Sequence, residues 1–162
     1  MPYVSTVAET KAAVLAMRYP PHGVRGVAKF NRGAGFGGDF DDYYAHSHER
    51  LVTVIQIETI EAINNIDAIA AVEGADVLFV GPTDLSYNMG IPDQLESPAF
   101  TEALRKVSDA AKRHGKAAGI LVHNAALVPK MRELGYTFMA LGSDGGAVRA
   151  GLLNLLAALK AK

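Results

Sequence analysis

The sequence predicts an α/β fold in which parallel strands alternate with helices, and three observations support this prediction. Four short runs of residues are apolar on both faces, which is typical of strands buried inside a parallel sheet. Segments with apolar residues at helical spacing lie between these runs. Gly74, Gly115 and Gly135 directly follow such segments, where a left-handed residue commonly ends a helix. The repeated strand–helix order from about residue 52 onward therefore predicts a parallel sheet or a barrel.

The individual elements follow from local patterns in chain order. Pro2–Ser5 fits a short strand, and Ala8–Met17 fits a helix that cannot continue through the Pro20-Pro21 pair. Residues 31–49 are rich in glycine and aspartate, and we expect a long functional loop there. The four apolar runs predict strands at Val52–Ile57, Val77–Val80, Ala117–Val122 and Phe138–Leu141. Helical spacing predicts helices over Ile60–Val72, Phe100–Ala111, Ala125–Leu134 and Val148–Leu159.

The chain length limits which α/β architecture fits. The sequence has 162 residues, whereas a typical (β/α)8 barrel has about 250, or roughly 31 for each βα unit. A chain of this length holds about five such units. We therefore expect one domain over residues 1–162 that is either an open sheet or part of a barrel.

Composition excludes several classes of protein. The 49% hydrophobic and 20% charged content is that of an ordinary globular protein. A net charge of −1 gives no general attraction to nucleic acid or to acidic membranes. The sequence contains neither a long apolar run nor a visible secretory signal, and its lack of cysteine excludes thiolate chemistry. These features predict a cytoplasmic protein that binds neither membrane nor nucleic acid.

Two polar side chains mark the end of the first central strand. Because strand residues alternate between faces, Gln56 and Glu58 point to one side of the sheet. They lie at the carboxyl end of the strand, where parallel α/β folds bind ligands. The alternative is a solvated glutamate at a helix N-terminus, where the helix dipole favours a negative charge.

The segment Gly81–Ser86 follows the next strand in the same way. Asp84 lies at the predicted rim, and the N–H groups of Thr83 and Asp84 begin a short helix that is able to bind an anion. The alternative role for Asp84 is simple helix capping. Acidic side chains at successive strand ends are also able to hold one hard cation, such as Mg²⁺ or Mn²⁺.

Other candidates carry weaker signals. Residues 142–146 form either an anion-binding turn or a glycine-rich turn with an Asp or Ser cap, and we favour the turn. The segment 33–38 lacks the strand–turn–helix context and the lysine of a nucleotide loop. His46 and His48 lie in a polar stretch, and we do not favour a metal site there. His123 is the one histidine placed near the predicted rim.

Three ordered motifs closely resemble the HpcH/HpaI aldolase family. They are Arg18–Gly26 (RYPPHGVRG), Gln56–Thr59 (QIET) and Gly81–Ser86 (GPTDLS). The resemblance extends to Gly119–Leu121 and Gly142–Asp144. It implies a TIM-type (β/α)8 barrel of the phosphoenolpyruvate/pyruvate superfamily, with Mg²⁺, Mn²⁺ or Co²⁺ at its carboxyl rim.

The resemblance also implies a reaction and a set of site residues. Glu58 and Asp84 match the metal ligands, Gln56 matches the glutamine beside the oxoacid, and the N–H groups of Thr83 and Asp84 match those that hold its carboxylate. The family usually has alanine in place of Thr83. The implied enzyme is a metal-dependent lyase that cleaves a 4-hydroxy-2-oxoacid to pyruvate and an aldehyde. Family members are commonly hexamers, in which the C-terminal helix packs on a neighbouring subunit.

The chain departs from the family at its beginning. Met1–Val4 aligns with the fourth barrel strand, so we expect strands 4–8 with their helices and not the first three βα units. Those units carry the catalytic histidine of the family and the arginine that contacts the oxo group. A matching motif does not occur in this sequence, and His123 is the nearest substitute by position.

Two other functions remain open from the sequence. One is a non-catalytic truncated barrel that serves as a metal-binding or self-associating scaffold. Its exposed edge at Pro2–Ser5, the Tyr43-Tyr44 segment and the apolar last helix would form the contacts between chains. The other is a lyase that acts on CoA esters, of the citrate lyase β type, which the Gly81–Ser86 motif fits less well.

Overall fold

A parallel sheet with the strand order β1-β2-β3-β4 organises the computed structural model, which describes residues 1–160. The register pairs Gln56 with Phe79, Phe79 with Gly119, and Gly119 with Phe138. The predicted parallel α/β fold is thus confirmed. Its strands are β1 (Val54–Ile57), β2 (Val77–Val80), β3 (Ala117–Val122) and β4 (Phe138–Leu141).

The first strand begins two residues later than predicted. The amide of Thr53 donates a hydrogen bond to the Asp76 carboxylate (2.7 Å) instead of to a neighbouring strand. The carbonyl of Thr53 accepts from the amides of Asp76 and Val77. These bonds connect the entry to β1 with the entry to β2, so regular strand pairing starts only at Val54.

Helices follow or connect the strands. The first begins with a capping box in which Thr6 and Glu9 satisfy each other's backbone amides, an arrangement typical of a stable helix start. Ser97 caps the amide of Phe100 at the start of the longest inter-strand helix. The helices are α1 (Val7–Met17), α2 (Phe40–Arg50), α3 (Ile60–Asn64), α4 (Ile66–Ala70), α5 (Pro82–Asn88), α6 (Pro98–Arg113), α7 (Val128–Glu133) and α8 (Asp144–Lys160), with 3₁₀ turns at Arg32–Gly37 and Ala125–Leu127.

The prediction of a long loop over residues 31–49 is wrong. A 3₁₀ turn and helix α2 occupy most of this segment. The α2 sequence carries aspartates in its first turn and Arg50 in its last turn, which complements the helix dipole. Arg50 also pairs with Asp42 at 2.6 Å, and the buried ring of Phe40 contacts Tyr44. These contacts stabilise α2, which the glycine-rich composition of the segment did not predict.

The helix predicted over Ile60–Val72 is two short helices instead. Asn65 has φ −95° and ψ 5°, so the helical geometry is interrupted between α3 and α4. The side chain of Asn65 donates to the Ser5 carbonyl at 2.9 Å. The residue at the break between α3 and α4 therefore connects the N-terminal segment to the helices.

One face of the sheet packs against the helices and forms the hydrophobic core. Ile55, Leu78 and Ile120 point to this face and are buried in one cluster with residues of α6. The hydroxyl of the buried Tyr136 donates to the carbonyl of Leu104 in α6 at 3.0 Å. Burial raises the pKa of the Tyr136 phenol above its usual range, so this side chain stays a neutral hydrogen-bond donor.

The opposite face of the sheet is open to a considerable extent. Phe138 is 43% exposed, and its ring meets Phe79 edge-to-face with the centroids 6.1 Å apart. Gln56 lies in the same row across the strands. Both faces of a parallel sheet are normally covered, so this face is unusual for an α/β fold.

Helix α8 also exposes an apolar surface. Its leucines are accessible to solvent, from 46% at Leu153 to 85% at Leu159. All of its described residues are exposed. None of the helices over residues 1–160 has the length and hydropathy that a membrane crossing requires.

The predicted strand at Pro2–Ser5 is not a regular strand. Met1 and β1 exchange two backbone bonds, from Met1 to Val54 (2.8 Å) and from Gln56 to Met1 (2.9 Å). The pairing stops at Tyr3, whose φ is +56°, a left-handed conformation that is incompatible with an extended strand. The segment is nevertheless anchored further on, because the Ser5 and Thr59 hydroxyls hydrogen-bond at 2.7 Å.

Candidate functional site

The carboxylate of Glu58 is held between the N-terminal segment and β1. Glu58 directly follows β1 and is 4% exposed. Its Oε1 accepts a hydrogen bond from Gln56 Nε2 (3.1 Å), and its Oε2 accepts one from the Tyr3 amide (3.0 Å). Within residues 1–160, Glu58 forms no ion pair with a basic side chain. The structure thus brings together Gln56 and Glu58, and it leaves a buried carboxylate without positive charge beside it.

Glycine at position 81 makes room for this carboxylate. Gly81 follows β2 and donates its amide to the Ile57 carbonyl of β1 (3.4 Å). A β-carbon at this position would lie 2.8 Å from Cγ and 2.9 Å from Cδ of Glu58. In protein structures a β-carbon essentially never comes that close to another atom. The observed position of the Glu58 side chain therefore requires glycine at position 81.

We expect Gly81→Ala to destabilise the protein by about 1–3 kcal/mol, because the added methyl group forces the Glu58 carboxylate out of its position. Denaturant unfolding measures this change. The matched control is Gly151→Ala in α8, where an added β-carbon meets nothing within 4 Å. Equal stability of the two variants would show that Gly81 does not contact Glu58 as described.

Thr83 and Asp84 lie in the exposed first turn of α5. Pro82 has no N–H group, and the Leu85 amide already bonds to the Gly81 carbonyl (3.0 Å). The Thr83 and Asp84 amides therefore belong to the helix start, where N–H groups have no acceptor within the helix. Asp84 is not the N-cap residue of α5, because that position is Gly81 and Asp84 is the third residue of the helix.

Glu58 and Asp84 lie at neighbouring strand ends. The short connection through Gly81, Pro82 and Thr83 places Asp84 at the same rim as Glu58. In the part of the chain that the structure describes, three or more His, Cys, Asp or Glu residues do not cluster at any place. A cation at this rim would therefore need water or substrate oxygens in addition to the two carboxylates.

The glycine-rich turn after β4 uses its own side chains as hydrogen-bond acceptors. Ser143 Oγ accepts from the Gly146 amide (3.0 Å), and Asp144 Oδ1 accepts from the Gly145 amide (2.7 Å). These amides are therefore not free to bind an anion. The geometry agrees with the favoured interpretation of residues 142–146 as a capped turn.

The candidate histidines do not join the Glu58 carboxylate. His123 is exposed just beyond β3. His46 Nδ1 lies 3.2 Å from Asp42 on α2, and His48 stacks on His22 with the ring centroids 5.1 Å apart. His46 and His48 thus make local contacts of their own and do not contact the Glu58 carboxylate.

The individual roles of Tyr3 and Gly81 in the site were not predicted from the sequence. Tyr3 acts through its backbone amide, which no side-chain pattern can reveal. Gly81 carried a usable signal, because a glycine directly between a buried strand and an N-terminal helix proline often marks a close approach.

Comparison with known proteins matches residues 1–150 to a family model described as HpcH/HpaI aldolase/citrate lyase. A Salmonella arizonae protein named 5-keto-4-deoxy-D-glucarate aldolase is 41% identical over 155 residues, which cover 96% of this chain and 60% of that protein. The chain thus spans about 60% of the length of this relative.

Solved structures show the same partial coverage. An HpcH/HpaI aldolase/citrate lyase family protein from Burkholderia cenocepacia superimposes with a TM-score of 0.88 at 29% identity, over 98% of this chain and 63% of that one. An HpcH/HpaI aldolase from Desulfitobacterium hafniense gives a TM-score of 0.86 at 28% identity, over 100% and 63% of the two chains. The architecture of this chain therefore corresponds to a large part, but not all, of these folds.

Proposed function

We propose, since this chain belongs to the HpcH/HpaI aldolase/citrate lyase family, that it carries the metal- and oxoacid-binding part of an aldolase. The reaction is the cleavage of a 4-hydroxy-2-oxoacid into pyruvate and an aldehyde. The observation that carries the proposal is the buried Glu58 carboxylate, which has two neutral hydrogen-bond donors and no basic partner within residues 1–160. A buried charge that lacks an opposite charge nearby is costly, so a cation fits this site.

Glu58 and Asp84 are the proposed protein ligands of that cation. Carboxylate oxygens suit Mg²⁺ and Mn²⁺, and Co²⁺ is a further candidate. Both residues lie at the carboxyl ends of strands, the edge at which parallel α/β folds bind ligands. A bound divalent cation would supply electrostatic stabilisation of the negative charge that develops on the oxo oxygen during cleavage.

Other residues of this chain bind and orient the substrate in the proposal. The Thr83 and Asp84 amides at the start of α5 donate hydrogen bonds to the oxoacid carboxylate, since unpaired amides favour anions. Gln56 lies beside Glu58, so its amide both holds that carboxylate and borders the oxoacid. Proton transfer to and from the 4-hydroxyl requires a base, which in the family comes from βα units that this chain does not match.

We further propose that residues 1–162 form one part of a (β/α)8 barrel, corresponding to strands 4–8. The exposure of Phe138 on the open sheet face supports this proposal, because that face would be the barrel interior. The backbone bonds between Met1 and β1 support a fifth strand position at that edge. The exposed leucines of α8 support assembly into a homo-oligomer, since apolar surface of this kind favours contact with another chain.

The relatives favour an aldolase over a lyase that acts on CoA esters. The relative at 41% identity is named for cleavage of a keto-deoxy sugar acid, which is a hydroxy-oxoacid. A scaffold without catalysis shares the proposed metal site but does not require oxoacid binding. The binding of pyruvate together with metal therefore distinguishes these functions.

We expect pyruvate to increase the affinity of the chain for Mn²⁺ by about tenfold, because the two ligands share one site and their binding is coupled. Electron paramagnetic resonance of free Mn²⁺, titrated with and without pyruvate, measures this coupling. Acetate is the control, since it has the carboxylate but not the oxo group. Equal effects of pyruvate and acetate would contradict the proposed oxoacid site.

A further inference from the structure

The N-terminal segment interrupts its pairing with β1 at Tyr3. In a parallel ladder, a residue that donates to one strand position accepts from the position two residues further on. Met1 follows this pattern, because it donates to Val54 and accepts from Gln56. The next donor in the ladder is the Tyr3 amide, and its regular acceptor would be the Gln56 carbonyl. The Tyr3 amide instead donates to Glu58 Oε2 at 3.0 Å.

The backbone of Tyr3 adopts an unfavourable conformation at this point. Its φ is +56°, in the left-handed region that bulky residues seldom occupy. Such strain persists only where the surrounding structure enforces it, and it occurs preferentially at functional sites. The Tyr3 side chain does not explain the strain, because it is 58% exposed. The hydrogen bond to Glu58 is the interaction that the distorted backbone makes.

The neighbouring residues hold Tyr3 in place from both sides. Met1 is bonded to β1 before it. After it, Val4 is buried in the core and Ser5 bonds to Thr59. Since Thr59 directly follows Glu58, the segment is held by β1 before the carboxylate and by Thr59 after it. The position of the Tyr3 amide is therefore set by the fold and not by the side chain of Tyr3.

We propose that Tyr3 is a positioning residue that orients the Glu58 carboxylate for cation binding through its backbone amide. The Tyr3 amide holds Oε2 while Gln56 holds Oε1, so the carboxylate is fixed at both oxygens before a cation arrives. Partners of this kind orient metal ligands and commonly change affinity by about 10–100-fold when removed. The inference rests on the proposed role of Glu58 as a metal ligand.

The test removes the amide of Tyr3 without changing its side chain. Incorporation of 3-(4-hydroxyphenyl)lactic acid at position 3 of the full chain replaces the N–H group by an ester oxygen. We expect this variant to bind Mn²⁺ about tenfold more weakly than the unmodified chain. The matched control places the same hydroxy acid at Tyr44 in α2, where it also removes one backbone amide. Thermal unfolding of both variants separates a loss of affinity from a loss of stability.

A second variant isolates the backbone from the side chain. Tyr3→Gly keeps the amide and tolerates a positive φ, so we expect Mn²⁺ affinity within about twofold of the unmodified chain. Loss of affinity in Tyr3→Gly would mean that the phenol, not the amide, is required. Unchanged affinity in the ester variant at position 3 would overturn the proposal, while failure of the unmodified chain to bind Mn²⁺ would overturn the metal site itself.

The hydrogen bond is also testable without metal. An amide proton bonded to a carboxylate resonates downfield, so Glu58→Gln is expected to move the Tyr3 amide proton upfield in nuclear magnetic resonance spectra. Glu61→Gln, a change at an exposed position of α3, is expected to leave that resonance in place. An unmoved Tyr3 resonance in Glu58→Gln would contradict the contact even if Mn²⁺ binds.

Discussion

Glu58→Gln is expected to lower the affinity of the chain for Mn²⁺ by at least about 100-fold, which corresponds to about 2.7 kcal/mol. Glutamine keeps the size of the side chain, and its one carbonyl oxygen replaces only one of the two oxygens that accept from Tyr3 and Gln56. It removes the negative charge, which is the main source of attraction for a hard cation. Asp84→Asn is expected to have an effect of similar size if both carboxylates bind the same ion.

Glu61→Gln is the matched control for this measurement. Glu61 is exposed in the first turn of α3, three residues after Glu58, so it shares the neighbourhood but not the site. Calorimetric titration with Mn²⁺ compares the variants, and unfolding curves confirm that each one is folded. Unchanged affinity in Glu58→Gln or Asp84→Asn would remove that residue from the proposed set of ligands.

Supplying the remaining βα units is expected to raise aldolase turnover by about 100-fold or more over the chain by itself, because general acid–base groups contribute about 10²–10⁴-fold to such reactions. The experiment adds a polypeptide with the part of the Salmonella arizonae relative that this chain does not cover, either co-expressed or fused. Pyruvate release, coupled to lactate dehydrogenase in the presence of Mn²⁺, measures turnover.

The control for this experiment is the same added polypeptide with its histidines replaced by asparagine. It is expected to pair with the edges of the sheet but not to restore turnover, since it lacks a base for the 4-hydroxyl. Chelation of the metal is expected to abolish the restored activity. Efficient turnover by the chain without any added polypeptide would contradict the proposal that catalysis needs groups from the other βα units.

The strands were predictable because their sequence signal is local. The runs at residues 77–80, 117–122 and 138–141 became strands with the predicted bounds, since strands of a parallel sheet are apolar on both faces, although the last of them is not buried. The segment 31–49 was not predictable in the same way. Its helix α2 depends on contacts of Phe40 and on the Asp42–Arg50 pair, and its preceding glycines gave the composition of a loop.

The candidate site also contains residues that the sequence predicts and residues that only the structure reveals. Gln56, Glu58, Thr83 and Asp84 were predicted from their places at or just beyond the ends of apolar runs, because strand ends in parallel sheets meet at one edge. The structure brings Gln56 and Glu58 into contact, and it adds Tyr3 and Gly81. Tyr3 contributes a backbone amide and Gly81 contributes the absence of a side chain, so a pattern of side-chain types reveals neither role.

The sequence by itself determined the alternation of strands and helices, the family motifs and the polar residues at the strand ends. These depend on residue type and spacing, which are properties of a linear chain. Only the tertiary structure decided that the Glu58 carboxylate is buried between the Tyr3 amide and Gly81, and that one sheet face stays open. The physical reason is that amide direction, backbone strain and burial arise where segments distant in sequence meet in space.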